Sequence, residues 1–193
     1  MHQERAGILT PVRSKSLIMT DTLDLIPILI APHPALRAKA RPVASNDDTI
    51  GNLSARMLAA MYAAPGIGLA APQVGHGLRM FVMDLQANDR RQPLVLINPE
   101  IVAQSVETAV REEGCLSIPG QYADVVRPRQ VRVRYLDLSG ARCEIEGEGL
   151  LSACLQHEID HLDGVLFVDH LSSLKRNMLM RKLAKEQKAK KGA

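Results

Sequence analysis

The run Gln156-His157-Glu158-Ile159-Asp160-His161 sets two imidazoles four residues apart, with a carboxylate directly after the first. On a helix, residues at that spacing stand one above the other, about 5–6 Å apart at Cβ. Both rings can then reach one divalent ion, since zinc–nitrogen bonds run about 2.0–2.1 Å. Glu158 faces the ion's open side, where a water would sit. A carboxylate there can take the water's proton for attack on a carbonyl. The pattern points to a metal-dependent hydrolase.

Such a pair needs at least one more protein ligand. Cys154 shares the helix face of His157, but it lies seven residues from His161, about 10 Å along the axis. A packing role suits it better. Cys115 sits in Glu113-Gly114-Cys115-Leu116-Ser117-Ile118-Pro119, which reads as a loop able to turn a thiolate and a backbone N–H toward one point. A free Cys is more often a small buried hydrophobe, so the residue alone does not decide the matter. The segment Gly66-Ile67-Gly68-Leu69-Ala70-Ala71-Pro72-Gln73 formally fits a dinucleotide-binding fingerprint. That fingerprint needs a strand before it and a helix starting within it, whereas here a helix precedes and Pro72 follows. It reads instead as a loop that can lay backbone against a bound peptide, with Gln73 offering an amide donor.

The elements that must position these residues can be sketched. Ile28–Ile30 reads as a short strand stopped by Pro32-His33-Pro34. Ser45-Asn46-Asp47 can cap a helix with Leu53, Met57, Leu58 and Met61 on its apolar stripe, ended by Pro65-Gly66. Strands are expected at Leu78–Asp84, Leu94–Asn98 and Ile101–Val110. Val131, Val133 and Tyr135 alternate with polar neighbours, and Ser139-Gly140 turns the chain into a returning strand, 141–148. The helix with the His pair should run from Gly149 to Asp163, stopped by Gly164. Ser172 or Ser173 caps a last helix, docked by Leu171, Leu174 and Met178. Strands in the middle with helices around them give an α+β fold, antiparallel sheets around the His-bearing helix. The expected division is an N-terminal extension at 1–26, a catalytic domain at 27–174 and a basic helix or tail at 175–193.

The 193 residues suffice for one domain with a core. Aromatics are 3% and Trp is absent, so Leu, Ile, Val, Ala and Met must fill that core. Three widely spaced Cys do not make a disulfide framework and suit a reducing compartment. Cys143, on a strand, is expected in the core, and His2, His33, His76 and His170 on the surface or in turns. Met57–Val74 carries no charge, but Pro65, Gly66, Gly68 and Pro72 break it, which excludes a membrane span. Met19 could be the true start; a targeting peptide competes with that reading. From Lys175 onward eight basic residues face one acid, Glu186, a net of +7. With +3 overall, the rest of the chain carries −4.

Together the Gly66–Gln73 segment, Glu113-Gly114-Cys115-Leu116-Ser117 and Gln156-His157-Glu158-Ile159-Asp160-His161-Leu162 resemble the three motifs of the peptide deformylases, in order, over roughly Ile28 to Leu174. The resemblance implies the deformylase fold and removal of formate from the formyl-methionine that begins a new bacterial polypeptide. It implies Cys115, His157 and His161 as metal ligands, with water in the fourth place. Glu158 becomes general base and acid, with Gln73 and the backbone N–H of Leu116 meeting the oxyanion. Ile67, Gly68, Leu150 and Cys154 would form an apolar slot for the methionine side chain, with ordinary core packing as the competing reading. Ferrous iron is the implied physiological ion; zinc also suits Cys/His₂ ligation, and purified protein could carry zinc, nickel or cobalt. Asp160, Glu113 and Arg127 could orient the ligands or be ordinary surface charge. The implied setting is a cytoplasmic monomer, with an organellar origin left open, no membrane partner and ribosome contact through the basic end. Two rivals remain: a metalloprotease taking its third ligand from Glu186 or His170, and a catalytically silent ribosome-binding module.

Overall fold

The computed structural model describes residues 25–45, 47–87 and 90–191. The expectations for His2, Met19, a targeting peptide and most of the N-terminal extension lie outside these residues. The chain runs α1 (Asp48–Ala63), β1 (Gly68–Ala70), β2 (Met80–Met83), β3 (Leu94–Gln104), β4 (Thr108–Cys115), β5 (Ile118–Pro128), β6 (Gln130–Leu136), β7 (Arg142–Glu148), α2 (Leu150–Leu162) and α3 (Ser173–Lys191). One antiparallel sheet has the order β1-β2-β3-β6-β7, and β4 and β5 form a separate hairpin. The fold is α+β.

β2 explains the layering. All four of its residues are buried, because each face of a strand takes alternate side chains and both faces are covered. Met80 and Val82 cluster with Met57 and Met61 of α1. Phe81 and Met83 cluster with Leu155, Ile159 and Leu162 of α2. Apart from Phe81, the buried side chains of both layers are aliphatic, Met or Cys, as a chain poor in aromatics requires. Truncating one such fully buried side chain to Ala typically costs about 2–5 kcal/mol. A third cluster joins Ile118, Ala123 and Val125 of β5 to Phe167 and Val168, in the 3-10 turn before α3, and to Leu183 of α3.

α1 begins where expected, with the Asp47 carboxylate accepting from Thr49 N–H. The β6–β7 hairpin also matches, with Val131 and Val133 inward and Arg132–Glu146 and Arg134–Glu144 paired outward. Several expectations are corrected. Ile28–Ile30 joins no strand; its neighbourhood gives single backbone bonds, Leu29 N–H to Gln73 O and Ala31 N–H to Ser117 O. The strands placed at 94–98 and 101–110 are one bulged β3 followed by β4. Asn98 takes a positive φ of 51°, and its amide bonds to Val43 N–H and C=O, so the chain kinks at Pro99 without leaving the sheet. Cys143 is half-buried at the sheet edge rather than in the core. Leu174 and Met178 are 71% and 63% exposed; Leu183, with Leu179 and Met180, docks α3 instead. Ile26 belongs to the core, and α3 runs across the boundary expected at 174/175. No helix among the described residues is long and apolar enough to cross a membrane.

Candidate metal centre

α2 lies between the large sheet and the β4–β5 hairpin, with nine of its 13 residues buried. It stops at Gly164, which holds a φ of 76° and whose missing Cβ would stand 2.5 Å from the Arg37 carbonyl oxygen. His157 and His161 face the end of β4, their ring centroids 4.9 Å apart at 74°. Phe167 stacks on His157. Cys115 is not in a loop, as its Gly and Pro neighbours suggested. It ends β4, and Leu116-Ser117 turns directly into β5. A strand end is the stiffer mount.

Cys115 Sγ lies 3.2 Å from His161 Nε2. One donor atom from each of Cys115, His157 and His161 falls within 4.8 Å of the others. Bond lengths of about 2.3 Å to sulfur and 2.0–2.1 Å to nitrogen separate tetrahedral donors by roughly 3.3–3.6 Å, so one cation can serve all three. A soft thiolate with two imidazoles is also the right chemistry. Burial, and then the proximity of His157, hold His161 well below its usual pKa, which keeps it neutral as a ligand must be. Burial opposes charge on His157, but contacts with Cys115 and Glu113 hold its proton. A cation would displace that proton, so binding should release acid. The residues fit a divalent ion.

The ligands are oriented from behind. Glu113 accepts from His157 Nδ1 at 2.9 Å and takes two bonds from Arg127, Nε to Oε1 and Nη2 to Oε2. Arg127 Nη1 also donates to Asp160 at 2.8 Å, and Asp160 contacts His170 Nε2 at 2.7 Å. Burial opposes the Glu113 charge, yet hydrogen bonds from His157 and Arg127 bring its pKa down to about 2. Arg127 and Glu113 are each only 7% exposed. Such partners fix ring orientation and raise ligand basicity. Glu113, Arg127 and Asp160 are therefore not ordinary surface charge. His170 is exposed, as expected, and also belongs to this chain of contacts, which nothing in its sequence neighbourhood signals.

A cavity of about 930 Å³ opens beside the three donors, lined among others by Gly68, Gln73, Cys115, Leu116 and Glu158. Glu158 is 4% exposed, and its Oε2 has no partner among the described residues. Burial pushes its pKa up to about 7. It fits only because residue 68 is glycine: a Cβ there would stand 2.3 Å from Glu158 Oε1. Gly68–Ala70 is strand β1, not loop, and Ala71–Val74 coils as a 3-10 turn. That turn brings Gln73 Oε1 back to Ala70 N–H, so its Nε2 donates to Ser117 Oγ at 3.1 Å and toward Cys115 Sγ at 3.6 Å.

Ile67, Leu150 and Cys154 line the same cavity. Leu150 is 47% exposed, while Cys154 is buried in the α2 layer with its Sγ toward Ile67 O. Glu186 and His170 do not reach the donors; Glu186 bonds to Gln121 and His170 to Asp160. The metalloprotease ligand set is thereby lost.

The family model for polypeptide deformylase matches residues 25–177. A peptide deformylase of Mesorhizobium japonicum is 54% identical over 169 residues, covering 87% of this chain and 96% of that protein. One from Alkalilimnicola ehrlichii is 56% identical, covering 84% and 91%. The crystal structure of a Legionella pneumophila peptide deformylase superposes with a TM-score of 0.82 at 48% identity, covering 86% of this chain and 97% of that one.

Proposed function

The chain belongs to the polypeptide deformylase family, a hydrolase that removes N-terminal formyl groups, and on that premise we propose how its own residues do so. The observation that carries the reading is the buried, unpartnered Glu158 oxygen beside three donors able to share one ion. Cys115, His157 and His161 would hold a divalent cation, which supplies Lewis-acid activation of water and of the formyl carbonyl. Glu158 takes a proton from the attacking water as oxygen bonds to the formyl carbon. The carbon–nitrogen bond then breaks, Glu158 returns the proton to the departing amine, and formate leaves. A buried carboxyl group beside the reacting carbon suits both halves of that task. The oxyanion is met by the Gln73 amide and the Leu116 backbone N–H.

Ile67, Gly68, Leu150 and Cys154 accept the methionine side chain. Leu150→Arg, in a folded variant, should abolish turnover of formyl-Met-Ala-Ser; full turnover would refute the slot. Ferrous iron is the proposed physiological ion: activity should fade in air and return with Fe(II), and oxygen-stable activity tracking zinc content would refute it. Formate release by the wild-type protein from formyl-Met-Ala-Ser, without casein cleavage, is the deciding assay for the function itself.

The protein works as a cytoplasmic monomer that meets nascent chains at the ribosome. The support is the outward Lys182, Lys185 and Lys188 of α3, which can pair with RNA phosphates in a salt-sensitive way. Deleting α3 would strip Leu183 from the core, so charge reversal at those lysines is the sounder test. Ribosome co-sedimentation at low salt should weaken while free-peptide turnover stays; unchanged co-sedimentation refutes the contact.

A further inference from the structure

The β4–β5 ladder is interrupted beside Cys115. Gly114 pairs with Tyr122 and Cys115 with Ile118, so Pro119, Gly120 and Gln121 are looped out of register. Gly120 holds a φ of 71° there. All three residues line the cavity that holds Glu158, so this short loop is a wall of the substrate site. Little of the ladder supports it.

Its support comes from behind. Gln121 is 1% exposed and donates from Nε2 to Glu186 Oε2 at 3.0 Å. Its Oε1 has no partner among the described residues, so the Glu186 carboxylate is the anchor of that side chain. The same carboxylate oxygen lies 3.8 Å from where a Cβ at Gly120 would stand. Leu183, one turn earlier on α3 and fully buried against Ile118 and Ala123, delivers Glu186 to this spot. Glu186 is also the one acid among the eight basic residues of 175–193. The ribosome-docking face of α3 does not need it.

We propose that Glu186 is a positioning residue: through Gln121 it fixes the looped-out wall of the cavity, so that the C-terminal helix governs how firmly the formyl peptide is held. The inference rests on the deformylase reading and adds a part to it. Without the carboxylate, a buried amide loses its remaining partner, and a buried polar group left unpaired is costly. The loop then shifts to let the amide reach water. Glu158 and the three donors hang on α2 and β4 and are untouched, so binding suffers and chemistry does not.

The test is steady-state formate release by the full-length, metal-loaded protein with formyl-Met-Ala-Ser, for wild type, Glu186→Ala and Glu186→Gln. Glu186→Ala should raise KM on the order of threefold to tenfold, a fraction of the worth of a charge-assisted hydrogen bond, with kcat and metal content within twofold. Glu186→Gln keeps an acceptor oxygen and should restore KM. An unchanged KM in Glu186→Ala overturns the proposal. So does a fall in kcat and metal content at constant KM, which marks a merely structural role, or a Gln variant as impaired as the Ala variant. Wild-type protein that releases no formate brings down the functional reading and this one together; active wild type with an indifferent Glu186 brings down only this one.

Discussion

Helices α2 and α3 meet the rest of the protein in opposite ways. α2 has nine of its 13 residues buried and is gripped by the sheet on one side and the hairpin on the other. α3 is 19 residues long, yet Leu183 is the one residue of it buried among those described. α2 can hold three functional side chains to tight tolerances because its rotation is fixed by many contacts. α3 is placed by a single strip of apolar side chains, a hydrogen bond from Gln121 and an ion pair from Arg176 to Asp169. Exactness of a site scales with how many neighbours agree on where its element lies.

Substitutions can break or sharpen this contrast. The largest effect should come from α2 itself. Glu158→Gln removes the proton acceptor and should lower kcat by about 10²–10⁴-fold while metal content by elemental analysis stays near one per chain; a mild loss would mean another group carries the proton. Next, Leu183→Ala should destabilise by roughly 2–5 kcal/mol in urea unfolding, since it withdraws the anchor of α3. A change below 1 kcal/mol would show that α3 docks some other way.

Glu113→Gln should weaken metal binding about 10–100-fold in chelator competition, because His157 loses the carboxylate that orients it. It should also alter acid stability. The folded pKa of Glu113 is about 2 against an ordinary 4.5, so its ionised form stabilises the fold above pH 4.5. That contribution fades as pH falls from 4.5 toward 2. Metal-free wild type should lose stability across that window and the Gln variant should lose less; identical acid unfolding curves would discard the assignment. The smallest effect belongs to Leu174→Ser, within about 0.5 kcal/mol, because that side chain is exposed. A large loss would reverse the docking face assigned to α3.

The same contrast explains what the sequence disclosed. His157, Glu158 and His161 were legible because helical spacing alone puts them on one face, and the caps at Asp47 and Gly164 bracketed α1 and α2 closely. Cys115 and Gln73 were legible as residues but not as geometry. Gly and Pro suggested loops, whereas β1 is held by pairing with β2 and the end of β4 by pairing with β5 across the Leu116-Ser117 turn, which the propensity of each segment by itself does not encode. Asn98-Pro99 divides β3 in the sequence but not in the structure, because a bulge preserves a strand across punctuation that would otherwise end it. Leu174 and Met178 misled for a related reason. On a helix poor in apolar residues, several stripes fit the period, and only the partner surface of β5 chooses among them. His170 gave no signal at all, since its partner Asp160 lies on another element.

The extended segment at 28–31 ties two distant pieces together, with Leu29 N–H on the Gln73 carbonyl and Ala31 N–H on the Ser117 carbonyl. The two amides proposed to greet the developing negative charge therefore ride on one rail. A displacement of residues 28–31 would be felt at Gln73 and at Ser117 alike.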